Sequence, residues 1–167
     1  EFIRLHPGYG FYMGHVFQYQ AALQLIKREC VKPSMDAIKH GIMCPHQGLF
    51  TRSDLMSSGF DTKYHVAADY AFLLRHIVDG ATFCAMDIDV AYYSLFGASS
   101  DEAVYDEYMA IVKAYAGEVY LTRLYQLRAR ANGRRSWRQR LKTLVVEILG
   151  ERNFFRLRGW RTFRSVN

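Results

Sequence analysis

Residues 67–93 read AADYAFLLRHIVDGATFCAMDIDVAYY, and this stretch decides the fold class. Its first part carries apolar residues at the i, i+3, i+4 and i+7 spacing of one helix face, namely Tyr70, Leu73, Leu74 and Ile77. Gly80 stops the helix, and the β-branched and aromatic residues between positions 81 and 93 then favour a strand. A helix that leads directly into a strand predicts an α/β fold.

The segments before this unit give shorter patterns. Residues 1–19 look extended, with breaks at Gly8, Gly10 and Gly14 that divide them into a hairpin or loop, and residues 21–28 look helical. Ser34 is a suitable N-cap for a helix over residues 35–40. The apolar run at residues 48–51 then predicts a short strand.

The segments after it look mainly helical. One long helix is predicted from about Asp101 to Ala131, and a basic amphipathic stretch follows from Trp137 to about Phe163, interrupted near Gly150 and Gly159. The predicted organisation has three parts: residues 1–100 as part of an α/β domain, 101–132 as a long helix packed on it, and 133–167 as a basic amphipathic tail.

The number of predicted strands bears on whether the chain contains a whole domain. Two or three strands make a poor sheet on their own, and the chain starts at Glu1 in what reads as a strand. We therefore expect further strands upstream, so that this chain is the C-terminal half of a larger domain.

The composition fits a folded domain with an uneven charge. The 167 residues are 50% hydrophobic, which is enough for a core, and no apolar run approaches the ~20 residues of a spanning helix. The net charge is +6, but thirteen basic and two acidic residues between Arg123 and Arg164 give that segment +11 and leave −5 elsewhere. This asymmetry predicts an anionic partner surface for the C-terminal region.

The cysteine pattern argues against disulfides and zinc. Cys30, Cys44 and Cys84 are odd in number and form no CxxC pair, which favours a reducing compartment. His40, Cys44 and His46 lie close in sequence, but no second ligand pair follows at zinc-finger spacing. We therefore expect no metal site in this cluster.

Four short motifs occur in order in the first hundred residues. They are Pro45-His46-Gln47 before an apolar run, Gly59-Phe60-Asp61, Ala68-Asp69-Tyr70 with Arg75, and Tyr93 followed by Gly97 and Ser99. Together they resemble the C-terminal half of family 2 glycosyltransferases of the GT-A fold, in particular bacterial enzymes of exopolysaccharide, colanic-acid or O-antigen assembly. The resemblance covers residues 40–100 well and residues 1–40 weakly.

The resemblance implies that Asp69 is the general base of an inverting sugar transfer, which takes the acceptor's hydroxyl proton as that oxygen attacks the anomeric carbon. The residue pattern alone leaves an N-cap role open for Asp69, and the two roles are compatible. The resemblance also implies that His46 and Gln47 lie beside the sugar and acceptor, where they can hydrogen-bond hydroxyl groups. A purely structural loop is the alternative for these two residues.

Two further residues have open roles. Asp61 either shapes the acceptor site or caps a turn that Gly59 begins, with Phe60 anchored in the core. Arg75 lies nearly opposite Asp69 by helix rotation, so we expect it to form a structural ion pair.

Asp87-Ile88-Asp89 matches the Asp-x-Asp pattern with which members of this fold hold Mg²⁺ or Mn²⁺ on the donor diphosphate. In the family that motif precedes the segment matched by Asp69, whereas here it follows. We therefore interpret the triplet as a turn into a strand at residues 90–93. The resemblance implies that the metal ligands and nucleotide pocket lie upstream of Glu1, and that this chain alone lacks catalysis.

The tail interleaves apolar residues with arginines, which is typical of helices in a membrane interface. The candidate membrane contacts are Trp137, Arg138, Arg140 and Trp160. Packing of the tail on its own domain, with a solvated basic face, is the alternative. Nucleic acid is not an expected partner because no recognised binding module accompanies the arginines.

The main hypothesis is therefore an enzyme of cell-surface polysaccharide biosynthesis. It would transfer a sugar from a nucleotide-sugar donor to a lipid-linked or glycan acceptor, in the cytoplasm or peripherally on the inner face of the cytoplasmic membrane. The rival hypothesis is a non-catalytic basic module that binds membrane or nucleic acid through residues 123–164. An Asp69→Asn variant separates the two because only the enzyme would lose turnover.

Overall fold

The computed structural model describes residues 1–29, 34–39, 45–94, 103–122, 125–126, 145–159 and 161–162. These residues form a mixed α/β fold around a five-stranded sheet, as the helix-to-strand pattern predicts. The strands are β1 Phe11–Gln20, β2 Leu25–Glu29, β3 Leu49–Thr51, β4 Phe83–Ser94 and β5 Arg161–Thr162. The helices are α1 Phe2–Leu5, α2 Met35–Lys39, α3 Ser53–Met56, α4 Ala68–Val78, α5 Ala103–Tyr115 and a later one at Glu151–Leu157.

Strand β1 lies at the centre of the sheet. Its first residues pair with β3 and its last with β2, both antiparallel, while β4 runs parallel to it along the other edge. Every residue from Phe11 to Val16 is buried. Because β1 is covered along both edges, it forms the rigid base on which the later loops and helices rest.

Gly14 marks an irregularity in the β1–β4 pairing. Met13 pairs with Ala85 and His15 with Asp89, so β4 carries extra residues opposite Gly14 and bulges there. A Cβ on Gly14 would lie 2.5 Å from Val90 Cγ1, so only glycine fits. The predicted break at this glycine is wrong, because the strand continues through it.

The predicted helix over residues 21–28 is wrong. Ala21–Leu23 form one 3₁₀ turn, Gln24 takes a left-handed φ of 51°, and β2 then returns along β1. The buried side chain of Leu25 and the pairing with β1 outweigh the helix propensity of this segment. Residues 2–5 form the short helix α1 where extended chain is predicted.

Helices α4 and α5 pack together to form the core with β1. On α4 the predicted face is buried, and Leu73 and Leu74 have no exposed surface. Ile111 and Val112 of α5 join the same cluster, and the Tyr70 ring lies 4.7 Å from the Tyr108 ring. Each such aliphatic side chain stabilises the fold by about 1.5–3 kcal/mol, so the two helices hold each other firmly.

The predicted long helix is interrupted. Helix α5 ends at Tyr115, and Gly117 takes a φ of 96° before a short helical segment at 118–122. The amides of Ala116 and Gly117 both bond the Val112 carbonyl at 2.9 Å, which is a glycine-dependent helix ending.

The described part of the tail has both predicted interruptions. Gly150 and Gly159 take positive φ angles at either end of the Glu151–Leu157 helix. After Gly159 the described residues are not helical, because Arg161–Thr162 form β5 and pair with β2. No helix in the described ranges is long and apolar enough to cross a membrane.

Candidate functional site

The 3₁₀ turn His46–Gly48, called the His46 turn below, rests directly on β1. The Gly48 amide donates to the Pro45 carbonyl at 3.0 Å and closes the turn. A Cβ on Gly48 would lie 2.7 Å from the Gly14 carbonyl oxygen and 2.9 Å from Val16 Cγ1. Because a side chain would clash there, glycine at position 48 lets the turn sit close to the sheet and fixes where His46 projects.

Asp69 and His46 form the centre of the candidate site. His46 Nδ1 lies 3.0 Å from Asp69 Oδ2, although the residues are 23 positions apart in sequence. An ionised carboxylate only accepts hydrogen bonds, so Nδ1 carries the proton in this contact. The His46 side chain is 58% exposed and that of Asp69 30%, so a ligand from solvent can reach both.

Asp69 lies in the first turn of α4, but it is not the N-cap. That position belongs to Ala67, and the Asp69 carboxylate accepts the Tyr70 amide at 2.7 Å instead. The N-cap interpretation of Asp69 is therefore wrong. Its negative charge is still favourable at the positive end of the helix dipole.

The amides that precede α4 are bonded by a different carboxylate. Glu107 of α5 accepts the His65, Val66 and Ala67 amides, each at 2.9 Å. Burial raises the pKa of Glu107, but the three N–H donors outweigh it and hold the pKa below its ordinary value. Glu107 was missed from the sequence because no local pattern on α5 signals a contact 40 residues away.

Gln47 and Asp61 have different environments. The Gln47 side chain is exposed beside His46. The Asp61 carboxylate accepts the Lys63 amide at 3.2 Å, the Lys63 ammonium at 2.8 Å and the Tyr115 hydroxyl at 2.9 Å. The bond from Lys63 is the main cause that lowers the pKa of Asp61. These contacts agree with the turn interpretation of Asp61.

The loop before Asp61 differs from its prediction at two points. Gly59 takes the expected positive φ of 63°, but Phe60 is 50% exposed and is not a core anchor. Its ring centroid lies 5.1 Å from that of Phe72. Arg75 bonds the Ser58 hydroxyl at 2.7 Å and the Gly59 carbonyl at 3.0 Å. Both acceptors are neutral, so the described residues offer Arg75 no ion pair of the kind predicted.

Asp87 and Asp89 lie within β4, so their interpretation as a turn before the strand is wrong. Arg28 Nε donates to Asp89 at 2.6 Å, and His15 Nε2 lies 3.0 Å from Asp87. The His15 contact and then Arg28 lower the pKa of Asp87. A carboxylate pair bonded to an arginine and an imidazole does not fit Mg²⁺ or Mn²⁺. In the described ranges no three His, Cys, Asp or Glu side chains are grouped to hold a metal ion.

A polar cluster lies on the same face of the sheet as the His46 turn. The Tyr93 hydroxyl donates to Glu29 Oε2 at 3.1 Å, and Gln18 Nε2 contacts both groups. Glu29 pairs with Val16, on which the His46 turn rests, and Tyr93 pairs with Gln18, two residues further on. Paired and alternate residues share a face, so the cluster extends the polar surface beyond His46. Burial is the main cause that raises the pKa of Tyr93.

Several predicted features lie outside the described residues. They include the cysteine Cys30, the zinc-cluster residues His40 and Cys44, the motif residues Gly97 and Ser99, and the candidate membrane contacts Trp137, Arg138, Arg140 and Trp160. Cys84, the cysteine that is described, is a free thiol in β4.

Comparisons with known proteins return nothing: no protein-family model, no curated protein and no solved structure matches the chain significantly.

Proposed function

We propose that this protein is a glycosyltransferase with a domain of the GT-A type. It would transfer a sugar from a nucleotide-sugar donor to a hydroxyl of a lipid-linked or glycan acceptor. The observation that carries the proposal is the 3.0 Å contact between His46 and Asp69. The motif series assigns these residues to the acceptor loop and the base, and their proximity in the fold supports that assignment.

The reaction needs an acceptor for one proton. As the acceptor oxygen bonds to the anomeric carbon, the bond from that carbon to the donor diphosphate breaks and the hydroxyl proton passes to Asp69. A base in this role needs position more than a high pKa, because the alcohol becomes acidic only as the new bond forms. Attack from the face opposite the leaving group would invert the anomeric configuration.

The contacts of Asp69 suit that role. Oδ1 accepts one hydrogen bond from Tyr70 and Oδ2 one from His46. Each carboxylate oxygen has two lone pairs, so each keeps acceptor capacity for an incoming hydroxyl. The partly exposed imidazole of His46 holds the carboxylate in place and can itself contact the acceptor or donor sugar.

The donor side of the proposal follows from the family resemblance and not from the described residues. The proposal assigns the nucleotide pocket and the ligands of a divalent ion, Mg²⁺ or Mn²⁺, to sequence upstream of Glu1. The described pair Asp87 and Asp89, bonded to His15 and Arg28, does not fit that ion. The assays below therefore use the full-length protein.

The surface of the described tail supports a peripheral membrane location in this proposal. Ile148 is 70% exposed and Leu157 72% exposed, and the arginines at positions 152 and 156 are exposed as well. Apolar and basic side chains exposed together suit a surface of anionic lipid. A lipid-linked acceptor would then be presented at the same surface.

The test is Asp69→Asn in the full-length protein, assayed for transfer or hydrolysis of nucleotide sugars. Asparagine keeps the shape and the bond from Tyr70 but cannot take the proton. We expect turnover to fall about 10²- to 10⁴-fold, the usual contribution of a general base. Donor affinity and the melting temperature should stay close to those of the wild type.

The matched control is Asp79→Asn at the other end of the same helix. Asp79 is exposed and follows the last turn of α4, so this variant removes the same charge from the same helix. It should keep full turnover. Equal turnover in wild type and Asp69→Asn would disprove the assignment of Asp69 and favour the non-catalytic alternative.

A further inference from the structure

We propose that Glu107 is a positioning residue for Asp69, acting through the backbone that leads into α4. The inference rests on the proposed function, since it assigns Glu107 a role in placing the base of that reaction. Glu107 does not touch Asp69 in the described contacts. It holds the amides of residues 65–67, which immediately precede the helix that carries Asp69.

The three hydrogen bonds from the amides of residues 65–67 to the Glu107 carboxylate are called the clamp below. Glu107 Oε1 accepts the His65 amide, and Oε2 accepts both the Val66 and Ala67 amides, each at 2.9 Å. One planar carboxylate thus fixes three successive peptide groups. Such a backbone arrangement binds an anion well, because the N–H dipoles converge and the helix dipole adds to them.

The clamped backbone sets the start of α4. Ala67 is the N-cap, and its carbonyl accepts the Ala71 amide at 2.9 Å, one of the first bonds of the helix. Asp69 follows only two residues later. A rotation of the peptide groups at residues 65–67 would therefore turn the first helical turn and move the Asp69 carboxylate relative to His46.

Glu107 is itself held by a rigid element. It lies on α5, whose Ile111 and Val112 side chains are completely buried against α4. The contact of Tyr108 with Tyr70 joins the same two helices one residue away from both Glu107 and Asp69. Both helices, α5 with Glu107 and α4 with Asp69, are packed in the core. The position of Glu107 therefore fixes the position of the first turn of α4.

The ionised state of Glu107 strengthens the clamp. Hydrogen bonds to a charged acceptor are stronger than those to a neutral one, and the amide donors keep the pKa of Glu107 below its ordinary value. Replacement by glutamine keeps the size of the side chain, removes the charge and places an NH₂ group where one acceptor oxygen faced an amide. Glu107→Gln therefore weakens the clamp with little change of volume.

The experiment measures Glu107→Gln in the full-length protein by steady-state kinetics and by the resonances of the His46 ring. The matched control is Glu118→Gln, which removes an exposed carboxylate paired with Lys113 at 3.0 Å in the same region. We expect Glu107→Gln to lower kcat roughly 10- to 100-fold, the range that a misplaced group produces. KM should stay within about twofold, because substrate binding does not use the clamp. The control should leave both values unchanged.

The double variant separates positioning from a general loss of structure. If Glu107 acts through Asp69, adding Glu107→Gln to Asp69→Asn should cost little further turnover, because the effects of residues that act as a unit do not add. Independent losses that multiply in the double variant would overturn the proposal. So would a Glu107→Gln variant that melts earlier but keeps wild-type kcat once corrected for its folded fraction.

The His46 ring resonances test the positioning role of Glu107 without relying on sugar transfer. Asp69→Asn should shift the His46 Nδ1 and Hε1 resonances, and Glu107→Gln should shift them in the same direction by less, whereas Glu118→Gln should not. This result would support the positioning role even if no sugar transfer were found, in which case only the proposed function fails. Unchanged His46 resonances in folded Glu107→Gln would overturn the positioning role. If Glu107→Gln does not fold, Glu107→Asp, which keeps the charge but is one methylene shorter, takes its place with the same expected outcomes.

Discussion

Gly48 decides, at the scale of single residues, whether His46 can reach Asp69. The His46 turn must lie close to β1, and a Cβ at position 48 would come within 2.7 Å of the Gly14 carbonyl oxygen. Gly14 lies in the central strand between Met13 and His15, which both pair with β4, so its carbonyl group cannot move aside easily. The close approach is thus a condition of the site as well as of the fold.

Gly48→Ala should therefore destabilise the protein and disturb the site together. We expect unfolding in denaturant to require about 1–3 kcal/mol less free energy, the usual cost of adding a methyl group to a packed contact. The His46 ring resonances should shift as the turn is pushed from the sheet. Gln47→Ala, on the exposed side of the same turn, should change stability by less than about 0.5 kcal/mol. Equal stability of Gly48→Ala and wild type would show that the turn can relax without loss.

Single residues of the site differ in how far the sequence could reveal them. His46 and Asp69 each belong to a short motif with a specific chemistry, and the fold brings them together. Glu107 lies on an ordinary amphipathic helix, and its role arises only when α5 packs against the residues before α4. Phe60 shows a different error: its place in a motif predicts a core residue, but the side chain remains half-exposed.

At the scale of elements, the contact of Glu107 on α5 with the residues before α4 should make the unfolding free energy depend on pH. Glu107 has a pKa below its ordinary value of 4.5, so its charged form is favoured in the folded protein. Its contribution to stability is fully present above that ordinary value, and it is lost as the pH falls through the lower pKa of the folded state. We expect wild type to exceed Glu107→Gln in unfolding free energy by a constant amount near neutral pH. The difference should shrink below about pH 4.5, because protonated Glu107 resembles glutamine.

Denaturant unfolding of both proteins between pH 3 and pH 7 measures this difference directly. Other carboxylates with lowered pKa values, such as Asp61 and Asp87, occur in both proteins, so their effects cancel in the comparison. A difference that stays the same down to pH 3 would mean that the charge of Glu107 does not contribute.

Elements with a clear local pattern were predicted, and those that depend on distant partners were not. Helix α4 has a regular apolar face, Leu49–Thr51 forms the predicted strand, and the Ser34 hydroxyl accepts the Ala37 amide at 2.9 Å as an N-cap should. Residues 25–29 contain Lys, Arg and Glu, which fit a helix equally well. Their strand conformation follows from pairing with β1, which no local pattern records.

At the scale of the whole molecule, the tail is attached to the domain by the pairing of β5 with β2. Thr162 and Arg161 pair with Leu25 and Ile26, so the end of the tail lies along the outer edge of β2. The described helix before it leaves most of its surface in solvent. The tail therefore combines a fixed attachment to the sheet with an exposed basic and apolar surface, for which membrane binding remains a prediction.

Membrane binding by that surface should depend on its exposed apolar side chains. Ile148→Asp and Leu157→Asp each replace a side chain that is at least 70% exposed, so neither should disturb the core. Burying a side chain of this size is worth about 1.5 kcal/mol or more, so each variant should bind anionic vesicles roughly tenfold more weakly in a flotation assay. Added salt should weaken the wild type as well, because the arginines contribute through screened attraction. Val119→Asp is the matched control, since Val119 is 76% exposed but lies outside the tail. If all three variants bind vesicles like the wild type, the exposed apolar surface has another role and the membrane location is wrong.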